Sequence, residues 1–256
     1  MTFLVNGASF TSGKGLEYPD LNAWPAVFGQ KMNVPIVNVS KGGSSVDYIV
    51  YSTIKELSLN DYKNVIVAWP SLRRLMLIRR ENSYFLHTGL VDGHFYRGGY
   101  IYTDTYEFKE YVKLYYKYWS NELYDLKMSL QQIILLQEYL KNRGCNYLFL
   151  NSNSFKLHAW LNLSRLDCNN KRRLVDGFDE FNDDQIVGEE IEIQSLYNQL
   201  DLKHYHDPIN FNLTDWCIKS AYLDTVNKHP TVDGQIRIAE YIRNVWSKIH
   251  STNEEL

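Results

Sequence analysis

Phe3-Leu4-Val5-Asn6-Gly7 is an apolar run that stops at a turn signal, and it opens a regular alternation of apolar runs with helical patterns. Helical spacing over residues 22–32 leads to a second run, Pro35-Ile36-Val37-Asn38-Val39. Helical spacing over residues 45–58 leads to a third, Val65-Ile66-Val67-Ala68-Trp69. This order of strand, helix, strand, helix, strand is typical of βαβ units. We therefore expect an α/β fold with a mostly parallel sheet.

The later part of the chain adds three regular elements. A helical pattern runs from about Tyr106 to Arg143 and stops at Gly144, a common residue just past a helix end. A fourth strand is expected at Tyr147-Leu148-Phe149-Leu150-Asn151. The last helix should present one apolar side, made of Ile236, Ile238, Ala239, Ile242, Val245 and Trp246.

Two longer segments show little periodicity. Residues from about 76 to 107, rich in Tyr, Gly and Asp, are expected to form an irregular insertion with room for a hairpin. Residues 155–225 are expected to form a second irregular insertion. Without repeats or low-complexity tracts, the economical prediction is a single α/β domain over residues 1–256.

The composition excludes several classes of function. A net charge of −3 lacks the basic excess typical of nucleic-acid binding, so we expect no nucleic-acid partner. The 3 cysteines have no CxxC spacing, which argues against a disulfide framework and a structural zinc site. The cluster of His204, His206 and Asp207 is a weak metal signal without a second cluster, so we expect no metal and no cofactor. No signal peptide or apolar run of membrane length is visible, and we expect a cytoplasmic protein without a membrane partner. The oligomeric state is left open.

The chemistry-bearing residues follow the predicted strands. Open α/β sheets bind ligands outside the carboxyl ends of their strands. The loops expected at that edge contain Ser9 after the first strand, a glycine turn at Gly42-Gly43 after the second, and His229 before the last helix. A hydroxyl, a base and free backbone amides are the components of acyl transfer.

The same residues resemble the SGNH (G-D-S-L) hydrolase family. Gly7-Ala8-Ser9 resembles the family's first block, and Asn38 with Gly43 resembles its second. His229-Pro230-Thr231-Val232-Asp233-Gly234 resembles its last block, which precedes the final helix. The match covers residues 1–75 and about 224–250. It implies a three-layer α/β/α fold with a flavodoxin-like sheet, the SGNH hydrolase fold.

By this resemblance, Ser9 is the nucleophile and His229 the general base, and the amides of Ser9 and Gly43 bind the oxyanion. Two positions depart from the family. Pro70 or Ser71 stands where an asparagine normally completes the oxyanion site, and Ser71 is the candidate there. Asn227 occupies the usual place of the catalytic aspartate, which leaves a Ser–His dyad or a degenerate triad.

The expected function is hydrolysis of an ester, an O-acyl group on a carbohydrate or another small acyl ester, with Trp69 and Arg73 as candidate substrate-binding residues. The tyrosine-rich stretch from Tyr96 to Trp119 is either an aromatic platform, a partner surface or a set of inward-packed rings. The alternative function is a catalytically degenerate SGNH fold used for binding. A nucleotide-binding domain is weaker, because Ser12-Gly13-Lys14-Gly15 is only a fragment of a phosphate-binding motif.

Overall fold

The structure is a computed structural model. It describes residues 1–72, 76–78, 85–89, 100–101, 114, 118, 122–166, 183–224 and 228–250. In chain order the strands are β1 (Phe3–Asn6), β2 (Ile36–Asn38), β3 (Asn64–Trp69), β4 (Met76–Ile78), β5 (Phe85–Gly89), β6 (Tyr100–Ile101) and β7 (Asn146–Asn151).

The described helices are also numbered in chain order. They are α1 (Ser9–Ser12), α2 (Pro19–Asn22), α3 (Trp24–Met32), α4 (Val46–Leu59), α5 (Glu122–Asn142), α6 (Leu157–Trp160), α7 (Asp183–Tyr197), α8 (Leu213–Lys219) and α9 (Val232–His250), with a 3-10 turn at Leu163–Arg165.

The central sheet has four parallel strands in the order β2-β1-β3-β7. Every residue of β1 and β3 is buried, as expected for strands covered by helices on both faces. The prediction of an α/β fold with a parallel sheet is confirmed. The four strands also lie within one to two residues of the predicted apolar runs.

Helices cover both faces of this sheet, because successive strand residues point to opposite sides. On one face Leu4, Val65 and Val67 pack with the buried residues of α4, α5 and α7. On the other face Phe3, Val5 and Ile66 pack with α3, α8 and α9. The predicted apolar side of the last helix is confirmed, since Ile238, Ala239, Ile242 and Trp246 are buried and Ile236 and Val245 pack against them.

The two predicted insertions differ in outcome. In the first, β4 pairs antiparallel with β5 and β5 with β6, which agrees with the hairpin for which this segment was expected to have room. In the second, the expectation of an irregular block was wrong, because α6, α7 and α8 lie within residues 155–225. The start of the long helix predicted at Tyr106 lies outside the described residues, which show it from Glu122 to Asn142. Among the described residues, no helix is long and apolar enough to cross a membrane.

Candidate active site

Ser9 is the first residue of α1 and lies just beyond the carboxyl end of β1. The end of β1 is fixed by Asn6, a fully buried residue whose Nδ2 donates to the carbonyl of Ile49 at 3.1 Å and contacts Thr53 Oγ1 at 2.9 Å. Its Oδ1 accepts a hydrogen bond from the Gly7 amide at 2.8 Å. Asn6 therefore ties the turn that carries Ser9 to α4. Ser9 is the first helical residue, so its amide has no carbonyl acceptor within α1.

Gly7 allows α1 to start this close to the sheet. A Cβ atom at Gly7 would lie 2.3 Å from Thr11 Oγ1 and 3.1 Å from the Ala68 carbonyl oxygen. Gly7 does not have a positive φ, so the requirement for glycine is steric. Thr11 is itself fully buried, and it has little space in which to move.

The second loop packs against the same short helix. Asn38, the last residue of β2, donates from Nδ2 to the Thr11 carbonyl at 3.2 Å, and its Oδ1 accepts from Ser40 Oγ at 2.6 Å. The loop then turns at Gly43, which is buried and has a φ of 83°, a left-handed conformation that favours glycine. Asn38 thus anchors α1 to the loop that carries Gly43.

His229 lies in a narrow loop that precedes α9. Leu223 and Pro230 form an isolated antiparallel bridge, and the Asp224 amide donates to the His229 carbonyl at 2.8 Å. The chain reverses at Lys228, whose φ is 54°. Thr231 caps α9, because its Oγ1 accepts from the Gly234 amide at 3.1 Å.

This loop packs against α1. The imidazole of His229 lies beside the ring of Phe10, with 5.8 Å between the ring centroids. Because Phe10 directly follows Ser9, the structure brings the predicted base to the helix that carries the predicted nucleophile.

Gln235 holds α9 in this position, and sequence reasoning did not identify it. It is fully buried, donates from Nε2 to the Phe10 carbonyl at 3.1 Å, and accepts at Oε1 from the Trp24 amide at 2.8 Å. Gly234, next to it, approaches the Tyr222 carbonyl so closely that a Cβ would lie 2.7 Å from that oxygen. The available signal was a glutamine in the first turn of a helix whose neighbouring positions are apolar.

Of the four other candidate residues, the structure describes two, Trp69 and Ser71. Trp69 is fully buried and packs edge-on against Phe149 at 5.1 Å, so we leave it out of the proposed substrate site. Ser71 is partly buried, two residues beyond the end of β3. Asn227 and Arg73 lie outside the described residues.

The histidines of the predicted weak metal cluster have separate partners. His204 Nδ1 lies 2.9 Å from Asp201 Oδ2, whereas His206 Nε2 lies 2.6 Å from the Tyr241 hydroxyl. Burial raises the pKa of Asp201, but hydrogen bonds from Tyr147 and His204 outweigh burial and hold that pKa below its ordinary value. Within the described part of the chain, no group of three His, Cys, Asp or Glu side chains is arranged to hold a metal ion.

Burial also changes the pKa values of histidine and cysteine side chains away from Ser9. It lowers the pKa of His206 and that of His250, which disfavours their charged forms. It raises the pKa of the Cys217 thiol to about 12, and it raises that of Cys145. Both thiols are therefore poor nucleophiles at neutral pH.

Comparison with known proteins shows which solved structures have a similar fold. No protein-family model and no curated protein matches the sequence. Many solved structures are similar over nearly the whole chain, among them the following two. A protein described as lipolytic and of the G-D-S-L family, from Desulfitobacterium hafniense DCB-2, has a TM-score of 0.50 and 13% identity, over 95% of this chain and 98% of that chain. The crystal structure of TesA has a TM-score of 0.52 and 12% identity, over 97% of this chain and 99% of that chain. The chain has the α/β fold of the SGNH (G-D-S-L) hydrolases.

Proposed function

We propose that this protein is a serine hydrolase that cleaves an ester, with Ser9 as the nucleophile and His229 as the general base. The observation that carries the proposal is the packing of the His229 imidazole on Phe10, the residue that follows Ser9. Gln235 supports it, because it bonds the Phe10 carbonyl from the first turn of the helix that follows His229. A nucleophile and a base on separate loops need such a fixed geometry.

In the proposed mechanism, His229 removes the proton of the Ser9 hydroxyl as its oxygen attacks the acyl carbon. The amides of Ser9 and Gly43 stabilise the oxyanion of the tetrahedral intermediate. The intermediate collapses with cleavage of the ester bond, and the imidazolium of His229 protonates the leaving alcohol. Water, deprotonated by His229, then attacks the acyl-enzyme and releases the acid, which returns Ser9 to its starting state.

Two positions of the proposed site depart from the family's pattern. They are the position that usually holds the catalytic aspartate and the position of the third oxyanion donor. We assign Asn227 to the usual aspartate position and Ser71 to the third donor. An asparagine cannot balance the charge of an imidazolium, and the equivalent change in a serine protease lowers turnover by about 10⁴. The proposed enzyme is therefore slow, and it works through a Ser–His dyad or a degenerate triad.

The proposed substrate is a small O-acyl ester, with acylated carbohydrates as the first class to test. Arg73 is retained as a candidate substrate contact. The tyrosine-rich stretch on which the carbohydrate preference is based lies almost entirely outside the described residues. Parallel assays on an acetylated sugar and on a short-chain aryl acetate would separate the carbohydrate preference from general esterase activity.

The direct test of the machinery is steady-state hydrolysis of an aryl acetate. We expect Ser9→Ala and His229→Ala to lose activity, and Ser12→Ala, a control on the same short helix, to retain most of it. Asn227→Asp restores a carboxylate at the family's usual aspartate position in the sequence, so kcat should rise by about 10-fold or more. No turnover by folded protein, with or without Asn227→Asp, would contradict the proposal.

A binding module with the same fold is the second candidate. The specific observation in its favour is the end of β3, where Trp69 and Pro70 are both buried and no asparagine is available as a donor. If the hydrolysis assay fails in folded protein, this candidate replaces the first.

A further inference from the structure

Asn6 connects the turn before Ser9 to α4 through both ends of its side-chain amide. Its Oδ1 accepts from the Gly7 amide at 2.8 Å, and because a backbone amide can only donate, this bond fixes which end of the side chain is oxygen. Its Nδ2 therefore faces α4, within hydrogen-bond distance of the Ile49 carbonyl at 3.1 Å and of the hydroxyl oxygens of residues 52 and 53 at 2.8 and 2.9 Å. Asn6 is fully buried, so water does not compete for these bonds.

The first turn of α4 leads directly back to the loop that carries Gly43. The helix begins at Val46, so the Ile49 carbonyl lies in its first turn, about 4.5 Å along the axis from Val46. Ser44 and Ser45 join Gly43 to the helix, and all three residues are buried. A displacement of the first turn of α4 would therefore displace the Gly43 amide as well.

The start of the same loop is attached to α1. Asn38, directly before the loop, donates to the Thr11 carbonyl at 3.2 Å. The loop over residues 39–45 is thus tied to the β1–α1 turn at both ends, by Asn38 at its start and by Asn6, through α4, at its end. Asn38 is exposed and Asn6 is buried. We therefore expect the Asn6 attachment to be the stronger one, because water does not reach it.

From these contacts we infer that Asn6 is a positioning residue of the oxyanion site, which sets the spacing between the amides of Ser9 and Gly43. The inference rests on the proposed function and adds to it a residue that touches no substrate. The family's usual asparagine donor is absent here, so the two backbone amides supply a larger share of the stabilisation. Misplacement of such groups by about 1 Å costs about 100-fold in rate.

Asn6→Ala removes the link, and Asn151→Ala is the matched control. Asn151 is also a fully buried asparagine at the last position of a parallel strand. Its Nδ2 donates to the Pro208 carbonyl at 3.2 Å, and its Oδ1 accepts from the Tyr205 hydroxyl at 2.6 Å. Neither partner belongs to α1 or to the loop of Gly43. Both variants should lower the midpoint of urea unfolding, because each leaves buried groups without partners.

Steady-state hydrolysis of 4-nitrophenyl acetate by the folded proteins separates positioning from stability. We expect Asn6→Ala to lower kcat by about 10- to 100-fold and to change KM by less than about 3-fold, because the oxyanion amides act in the transition state. The inhibition constant of phenylboronic acid, which forms a tetrahedral adduct with a nucleophilic serine, should rise by a similar factor. Asn151→Ala should keep kcat and this inhibition constant within about 3-fold of the wild type.

Hydrogen exchange measures the link without any substrate. In Asn6→Ala, the peptides that cover residues 7–12 and 42–46 should both exchange faster, whereas in Asn151→Ala neither should. If Asn6→Ala does not fold, Ser52→Ala combined with Thr53→Val removes two of the three acceptors from the side of α4. That double variant should produce the same changes in exchange and in kcat at a smaller size.

The outcomes distinguish this inference from the proposed function. Wild-type kcat in the folded Asn6 variant, an equal loss of kcat in Asn151→Ala, or unchanged exchange in both peptides would overturn the inference and leave the esterase proposal intact. Faster exchange in both peptides, in a protein whose folded wild type hydrolyses no ester, would keep the link between the two loops. That result would overturn its role in an oxyanion site together with the esterase proposal.

Discussion

Gly7 shows how one residue determines the position of the proposed nucleophile. Because Gly7 has no side chain, the turn before α1 can lie against the Thr11 side chain and the Ala68 carbonyl of β3. The turn signal at Asn6-Gly7 was visible in the sequence. The steric reason for glycine was not visible, since it depends on a strand about 60 positions away in the chain.

We expect Gly7→Ala to destabilise the protein by about 1–3 kcal/mol, because the new methyl group overlaps the buried Thr11 side chain. Within the described structure, Thr11 Oγ1 has no hydrogen-bond partner, so Thr11→Ala removes the closest overlap without breaking a bond, although the contact with the Cβ atom of residue 11 at 2.8 Å stays. The double variant should recover part of the loss. Urea unfolding measures the coupling between the two sites.

Gly188→Ala is the matched control for this experiment. It lies within α7, where an added Cβ has no described atom within 4 Å. A glycine-to-alanine change in an open helical position should stabilise the protein by about 0.5–1 kcal/mol. Equal effects at Gly7 and Gly188 would show that the steric role of Gly7 is wrong.

At the scale of elements, Gln235 is a buried polar contact that joins α9 to α1 and α3, in addition to the apolar packing of α9. Gln235→Leu leaves the Phe10 carbonyl and the Trp24 amide without their partner in a buried place. We expect a loss of about 2–4 kcal/mol in the free energy of unfolding. We also expect a fall in kcat larger than any change in KM, because Ser9 and His229 lose their fixed geometry.

Gln194→Leu, at an exposed position of α7, controls for the loss of a glutamine and should change stability by less than about 0.5 kcal/mol. If Gln235→Leu changed the free energy of unfolding as little as Gln194→Leu does, the Gln235 hydrogen bonds would not stabilise the position of α9.

The elements differ in how far the sequence determines them. The four parallel strands were predictable because each is a short apolar run bounded by turn residues, and a buried strand requires both features. Helix α7 was missed because its pattern is weak. Ile186, Ile193 and Leu196 are buried, but Val187 and Ile191 on the same helix are exposed, and Gly188 interrupts it.

The residues of the candidate site also differ in how far the sequence predicts them. Ser9, Gly43 and His229 were found from local motifs, since each lies in a loop next to a predicted strand or helix. Asn6, Gln235 and the Asn38 bond to α1 were not found, because their partners are distant in sequence and only the packed fold brings them together. Sequence motifs thus supplied the proposed reacting groups, and the structure shows the side chains that hold the surrounding loops and helices.

For the whole molecule, histidine burial predicts how stability depends on pH. The pKa values of His206 and His250 are lowered by burial, so the unfolded chain takes up protons that the folded chain does not. Well above about pH 6.5, the ordinary pKa of histidine, both states are unprotonated at these residues and stability does not change. Below that pH the free energy of unfolding falls as the pH drops. The pKa of Asp201 is lowered, so protonation of Asp201 reduces the free energy of unfolding further, but only below about pH 4.

Urea unfolding between pH 7 and pH 5 measures this slope. His250→Gln should make the slope shallower, because it removes one of the described histidines whose pKa burial lowers. His158→Gln, at an exposed position of α6, should leave the slope unchanged. A stability that is constant from pH 7 to pH 5 would contradict the burial of these histidines.

The most direct measurement of the central claim, an activated Ser9 with His229 as its base, is labelling by a fluorophosphonate probe with peptide mapping by mass spectrometry. We predict a single adduct on Ser9 that is lost in Ser9→Ala, slowed in His229→Ala and retained in Ser12→Ala. Folded protein that takes up no label, or that is labelled equally well without Ser9, would contradict the claim.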